Sequence, residues 1–188
     1  LLAGDESAFD RFVETFRKKI FQYSYLMCRQ REDAEEVAQE TLLKVFENFE
    51  QLREPERVRS WIYRIARNAC YMKRRKSVFA PEEEISLESL FPFSDHEAGE
   101  RRLQIADAGE RQDAHVLRGE LREILDEAIG NLPEIYRTVI LLRDVEELST
   151  EETAEILDVS REVIKTRLHR GRVVLRQMLD RHLKAARQ

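Results

Sequence analysis

Apolar residues recur at three- and four-residue spacing through most of this chain, the pattern of amphipathic helices rather than alternating strands. Phe9, Phe12, Val13, Phe16, Ile20, Tyr23 and Met27 make one wide apolar face, predicting a helix that Ser7 can cap and that runs to about Cys28. Asp33 and Glu36 form a possible capping box for a second helix to about Phe49, with Val37, Ala38, Leu42, Val45, Phe46 and Phe49 as its core stripe. The opposite side carries Asp33, Glu36, Gln39, Glu40 and Lys44, which for an isolated helix is a solvated face. After the loop Gln51–Val58, a third helix is predicted from about Ser60 to Lys76. Trp61, Ile62, Ile65, Ala66, Ala69, Cys70 and Met72 give it an apolar side, and Arg64, Arg67, Asn68, Tyr71 and Arg75 a polar one. Periodicity then lapses until Val116, Leu117, Leu121, Ile124, Leu125 and Ile129 restore it. Gly130-Asn131 suits a stop, and Leu132-Pro133 a restart that turns Ile135, Tyr136, Val139, Ile140 and Leu142 inward.

From Ser149 to about Leu179 the pattern becomes a short helix, a tight turn and a long basic helix. Ser149 with Glu152 is an S-x-x-E capping box, Asp158-Val159 makes the turn, and Ser160 can cap the basic helix. At 100° per residue Ile164, Leu168, Leu175 and Met178 gather on one side of that helix. Lys165, Thr166, His169 and Arg170 gather on the other, the plan of a helix-turn-helix DNA reader.

Composition settles the class. Of 188 residues 42% are hydrophobic and 37% charged, with only 6 Gly and 4 Pro, so an all-α fold is expected. Two small helical domains are predicted, residues 1–76 and 115–188, joined by an acidic flexible linker over 77–114 that includes an apolar island, Ile85–Phe93. Net charge is −5, yet it is segregated. Arg57–Lys76 has eight basic residues and no acid, and Ser160–Gln188 has nine against Glu162 and Asp180. Between them Ser77–Asp113 holds ten acids and three arginines, so two basic surfaces keep a local field suited to DNA. On the third helix, basic residues interleaved with Tyr71 and Asn68 suit a single-strand platform, while Trp61 on its own reads as a core residue.

Other chemistries find little support. His96, His115, His169 and His182 fit no metal spacing, and neither a phosphate-cradling glycine loop nor a G-x-S-x-G elbow is present, so no cofactor, no metal and no catalysis are expected. Cys28 and Cys70 lie outside any C-x-x-C motif and read as reduced, partly buried thiols of a cytoplasmic protein, a redox pair being the rival reading. No apolar run approaches membrane-spanning length, no signal peptide is seen, and the first residue is Leu, which suggests that the native start is missing. An ordinary helix-turn-helix regulator would account for residues 116–188 but not for Arg57–Lys76 or the acidic tether.

Three segments together, Asp33–Phe49, Ser60–Arg75 and Leu132–Arg172, resemble the bacterial extracytoplasmic-function (group 4) sigma factors of the sigma-70 family, over nearly the whole chain. The resemblance implies an alternative sigma factor: a specificity subunit that binds RNA polymerase core, melts the minus-ten promoter element and reads the minus-thirty-five element as duplex. Carried over by position, Asp33, Glu36, Gln39 and Glu40 would dock the clamp of the largest polymerase subunit, and the second domain the flap of the second largest. Arg53, Val58, Trp61, Arg64, Arg67, Asn68, Tyr71 and Arg75 would meet minus-ten DNA, with Asn68 and the Gln51–Val58 loop holding a flipped base. Lys165, Thr166, His169 and Arg170 would enter the minus-thirty-five groove, with Arg161, Arg167 and Arg172 on phosphate. An anti-sigma factor is a further implied partner. The chain departs from the family at Asp158 and Glu147, where glycine is common, and Asp158 is expected to keep the left-handed turn.

Overall fold

The structure, a computed structural model, describes residues 6–48, 54–76 and 112–185. Phe49, Arg53, the acidic tether to Arg111 and its apolar island Ile85–Phe93 lie outside the described residues. Those described form seven α-helices and no strand: α1 (Glu6–Cys28), α2 (Arg31–Asn48), α3 (Val58–Lys76), α4 (Gln112–Gly130), α5 (Glu134–Ile140), α6 (Thr150–Leu157) and α7 (Arg161–Ala185). The all-α class expected from the pattern holds.

Several boundaries differ from the pattern for local reasons. α2 begins at Arg31, so Asp33 lies in its first turn with Glu32, where carboxylates face the positive end of the helix, instead of capping it. α3 begins at Val58, because a 3-10 turn at Pro55–Arg57 feeds directly into it. Ser60 Oγ therefore donates back to the Arg57 carbonyl at 3.0 Å. α1 and α2 are joined tightly because Arg29 adopts φ 65° and its N–H closes on the Tyr25 carbonyl at 2.9 Å. α5 runs into a single π turn, Leu141–Val145, closed by Glu146 N–H on the Leu141 carbonyl at 2.9 Å. That extra residue per turn re-aims the side chains that come after it.

α1, α2 and α3 pack around Ile20, Tyr23, Met27, Val37, Val45, Ile62 and Ala66, with the Tyr23 and Tyr63 rings edge-on at 5.4 Å. α4 to α7 pack around Val139, Ile140, Leu142, Leu148, Ile156, Ile164 and Leu168. α7 approaches α5 at Gly171, where an added Cβ would stand 3.1 Å from Ile140 Cγ1. The periodicity predicted a separate core for each half, and here the structure differs: the two sets form one continuous buried cluster. The predicted inward positions Phe46, Met72, Leu121, Leu125 and Ile135 are also exposed. An apolar stripe wider than its neighbour's footprint leaves residues at its rim uncovered.

A seam between the halves is built from polar groups that the pattern did not reveal. Arg137, only 7% exposed, donates from Nη1 to the Met27 carbonyl at 3.1 Å and from Nη2 to the Leu132 carbonyl at 2.7 Å. Its Nε has no hydrogen-bond partner among the described residues, and burial lowers the guanidinium pKa to about 10, so it remains charged at neutral pH. Thr138 Oγ1 reaches Met27 Sδ at 3.7 Å, and Arg74 pairs with Glu134 at 2.8 Å. Arg29 crosses the bare Cα of Gly130 to reach the Glu127 carbonyl at 3.4 Å, a path that any Cβ at residue 130 would block. At the other end of the seam Tyr63 donates its hydroxyl to the Glu146 carboxylate, and Arg59 donates to the Glu146 carbonyl.

Candidate nucleic-acid interface

The helix-turn-helix is assembled by local chemistry. Ser149 Oγ accepts from the Glu152 N–H at 3.0 Å while the Glu152 carboxylate accepts from the Ser149 N–H at 2.7 Å, completing the box that starts α6. Asp158 ends that helix in the left-handed region at φ 54°, ψ 49°, and the Val159 N–H returns to the Ala154 carbonyl at 3.2 Å. Glu147 takes a similar backbone, φ 55°. Ser160 Oγ then accepts from the Val163 N–H at 3.3 Å and α7 begins.

Burial of Ile164, Leu168 and Val174 fixes the rotation of α7. Lys165, Thr166 and His169 are consequently exposed together, with Arg167 and Arg170 half-buried beside them. Thr166 donates its hydroxyl to the Glu162 carbonyl at 3.0 Å. Arg161 pairs with Glu151 at 3.3 Å, and Arg172 grips Asp144 through two bonds of 3.0 and 2.6 Å. Two of the arginines expected on phosphate are thus held by carboxylates of the same domain.

α3 divides its candidate residues. Arg67 lies 5.5 Å from the centroid of the Tyr71 ring and donates to Asn68 Oδ1 at 3.0 Å, so these three form one cluster, with Tyr71, Asn68 and Arg75 exposed. Val58 and Trp61, by contrast, are half-buried against the common core, and Arg64 donates to the Glu155 carbonyl of α6 at 2.9 Å. Arg57 also pairs with Glu155, at 3.8 Å. Arg64 and Arg57 are therefore tied to the first helix of the helix-turn-helix while remaining exposed. Arg53 lies outside the described residues.

The α2 face is less acidic than its sequence suggests. Lys73 of α3 pairs with Glu36 and approaches Asp33 at 3.9 Å, and its own pKa is raised chiefly by Glu36. Lys44 pairs with Glu40 at 2.6 Å, while Gln39 is exposed. Two apolar residues share this face, Leu43 at 56% exposure and Phe46 at 63%. Helical spacing from Glu36 and Gln39 to Leu43 and Phe46 is the signal that could have found them.

Both halves of this interface have counterparts among known proteins. Residues 12–78 match the family model described as Sigma-70 region 2, and residues 122–175 match Sigma-70, region 4. The extracytoplasmic-function (ECF) sigma factor SigW of Bacillus subtilis is 33% identical over 179 residues, covering 94% of this chain and 91% of the relative. The chain belongs to the ECF sigma factors. A sigma-E factor of Haemophilus influenzae is 31% identical over 94% of this chain and 90% of its own. Among solved structures, sigma factor RpoE in complex with the anti-sigma factor NepR from Bartonella quintana has a TM-score of 0.64 at 18% identity, covering 92% of this chain and 97% of that one. CnrH in complex with the cytosolic domain of CnrY gives 0.60 at 20% identity, covering 95% and 91%. As an ECF sigma factor the protein is a specificity subunit acting in transcription initiation, in a family whose members are not enzymes. Among its described residues no helix is long and apolar enough to cross a membrane.

Proposed function

We propose that this sigma factor, as an alternative sigma of group 4, binds RNA polymerase core through α2 and grips promoter DNA at two points. Residues 1–76 serve polymerase binding and minus-ten melting, residues 77–114 tether, and residues 115–188 read minus-thirty-five duplex and contact the flap. Lys165, Thr166, His169 and Arg170 enter the major groove, where lysine and arginine suit guanine acceptors and a threonine methyl suits thymine. Arg161, Arg167 and Arg172 hold phosphate. Asn68, Tyr71, Arg67 and Arg75 take the opened strand by stacking and charge, joined by Arg53 and, once the seam opens, by Val58, Trp61 and Arg64. Asp33, Glu36, Gln39 and Glu40 supply the charged part of the clamp contact, with Leu43 and Phe46 as its apolar part. The observation that best supports this reading is the outward cluster of Lys165, Thr166 and His169 on α7, immediately after a left-handed turn at Asp158. Because RpoE and CnrH take NepR and CnrY, an anti-sigma protein is proposed as a partner here as well.

Run-off transcription with core polymerase over a promoter library tests the proposal. Initiation at a defined pair of elements, dependent on both proteins, is expected. Tight operator binding by the isolated chain, with no transcription gained on adding core enzyme, would instead make it an ordinary helix-turn-helix regulator.

A further inference from the structure

The first three turns of α7 contain a single acid, Glu162, and it is exposed. At about 100° per residue it lies between Thr166 and His169 and almost opposite the buried Ile164, so it stands at the centre of the outward face. Neighbouring carboxylates are engaged elsewhere: Glu152 completes the capping box of α6, Glu151 holds Arg161 at 3.3 Å, and Asp144 holds Arg172 at 2.6 Å. A carboxylate only accepts hydrogen bonds, and the phosphates of a duplex repel it. In a major groove that cost is offset by one kind of base edge, an exocyclic amine. On the reading that α7 enters the minus-thirty-five groove, we propose that Glu162 determines specificity there by accepting a hydrogen bond from the N4 amine of a cytosine.

Cytosine shows the major groove an amine with no acceptor beside it on the same base, whereas adenine sets N7 next to its amine. Guanine and thymine present acceptors. A carboxylate is therefore drawn to cytosine, less to adenine, and is repelled by the other two. Its own N–H and the Ser160 hydroxyl, with the Arg161 and Lys165 charges nearby, hold the Glu162 carboxyl below the usual carboxylate range, so it is ionised at neutral pH. Lys165 follows three residues later on the same face, where its ammonium suits guanine acceptors and offsets the carboxylate charge. The two side chains thus read opposite chemistries within one turn of helix. A first-turn acid also favours the helix dipole. That effect is blind to base sequence, and base sequence is what separates the two roles.

Holoenzyme assembled from the full chain and core polymerase gives the test, on promoters randomised through the minus-thirty-five element, each carrying a transcribed barcode. Transcripts are counted for the unaltered protein, Glu162→Ala and Glu162→Gln. The unaltered protein is expected to favour cytosine at one position, with roughly 5- to 150-fold less transcript from the other bases. Glu162→Ala should level that position alone, and Glu162→Gln should move it toward adenine, whose N6 and N7 an amide can pair with. The preference of the unaltered protein is read without either variant, so it does not depend on their folding. No transcription from any promoter would overturn the sigma reading, and this inference with it. Initiation at defined elements, but with no position favouring cytosine, would overturn the role of Glu162 and leave the sigma reading standing. So would a cytosine preference that both variants keep, or a loss in the variants spread evenly over all sequences, as a first-turn charge alone would give.

Discussion

Glu146 is a carboxylate placed where water is largely excluded, and burial raises its pKa despite the Tyr63 hydroxyl and the nearby Lys19 and Arg59, with Glu147 adding to the rise. A raised acid pKa means that the closed form binds the proton more tightly than the open chain does. The contribution is full below the ordinary carboxylate value of about 4.3 and is lost as pH rises through the higher closed-state value. The two halves are therefore expected to separate more readily as pH climbs through that window, and Glu146→Gln to flatten the dependence. Small-angle scattering across pH checks it; an equal dependence in the variant would assign it to other groups. Where a base contact is lost, Lys165→Ala should weaken minus-thirty-five use by about 1–3 kcal/mol, read as promoter selectivity in run-off transcription. Asn68→Ala should impair strand opening, monitored by permanganate reactivity, while a pull-down with core polymerase is unchanged.

At the level of elements, the helix-turn-helix was the most legible part of the chain. Its capping box, turn and second cap involve residues within five positions of one another, so short-range hydrogen bonding alone specifies them. Ser149→Ala should cost about 1 kcal/mol by leaving the Glu152 N–H without its acceptor. Asp158→Gly should be neutral or stabilising because glycine holds a left-handed backbone without steric cost, whereas Asp158→Val should destabilise by at least about 1 kcal/mol. Thermal melting with circular dichroism checks the three variants together. The starts of α2 and α3 were less legible, since a turn at Arg29 and a 3-10 segment at Pro55–Arg57 feed each helix from upstream. A capping residue nearby in sequence marks a place where a helix can start, and the upstream turn decides where it does.

Across the whole molecule the seam sets how accessible each of the proposed DNA faces is. The α7 cluster at Lys165, Thr166 and His169 is open in the closed form, but Arg64 and Trp61 on α3 are engaged. On the proposed reading, strand capture would require the halves to part and duplex reading would not. Arg137→Met removes one buried donor across the seam, to the Met27 carbonyl, and one within its own half, to Leu132, and should weaken the seam by about 1–3 kcal/mol. A larger radius of gyration with unchanged helicity, and faster binding to core polymerase, are the expected results. Loss of helicity would show that Arg137 supports the fold of its own half instead.

From the sequence alone came the all-α class, the seven helices in outline, the two basic surfaces and the family. These depend on periodicity, composition and motif order, all of which are local or additive along a chain. Tertiary packing decided the rest. It merged two expected cores into one, exposed Leu43 and Phe46 and paired Lys73 with Glu36. It also gave Arg137, Tyr63 and Glu146 their partners across the seam. Such contacts join residues tens of positions apart, and a pattern repeating every 3.6 residues carries the direction of a face but not the identity of what covers it.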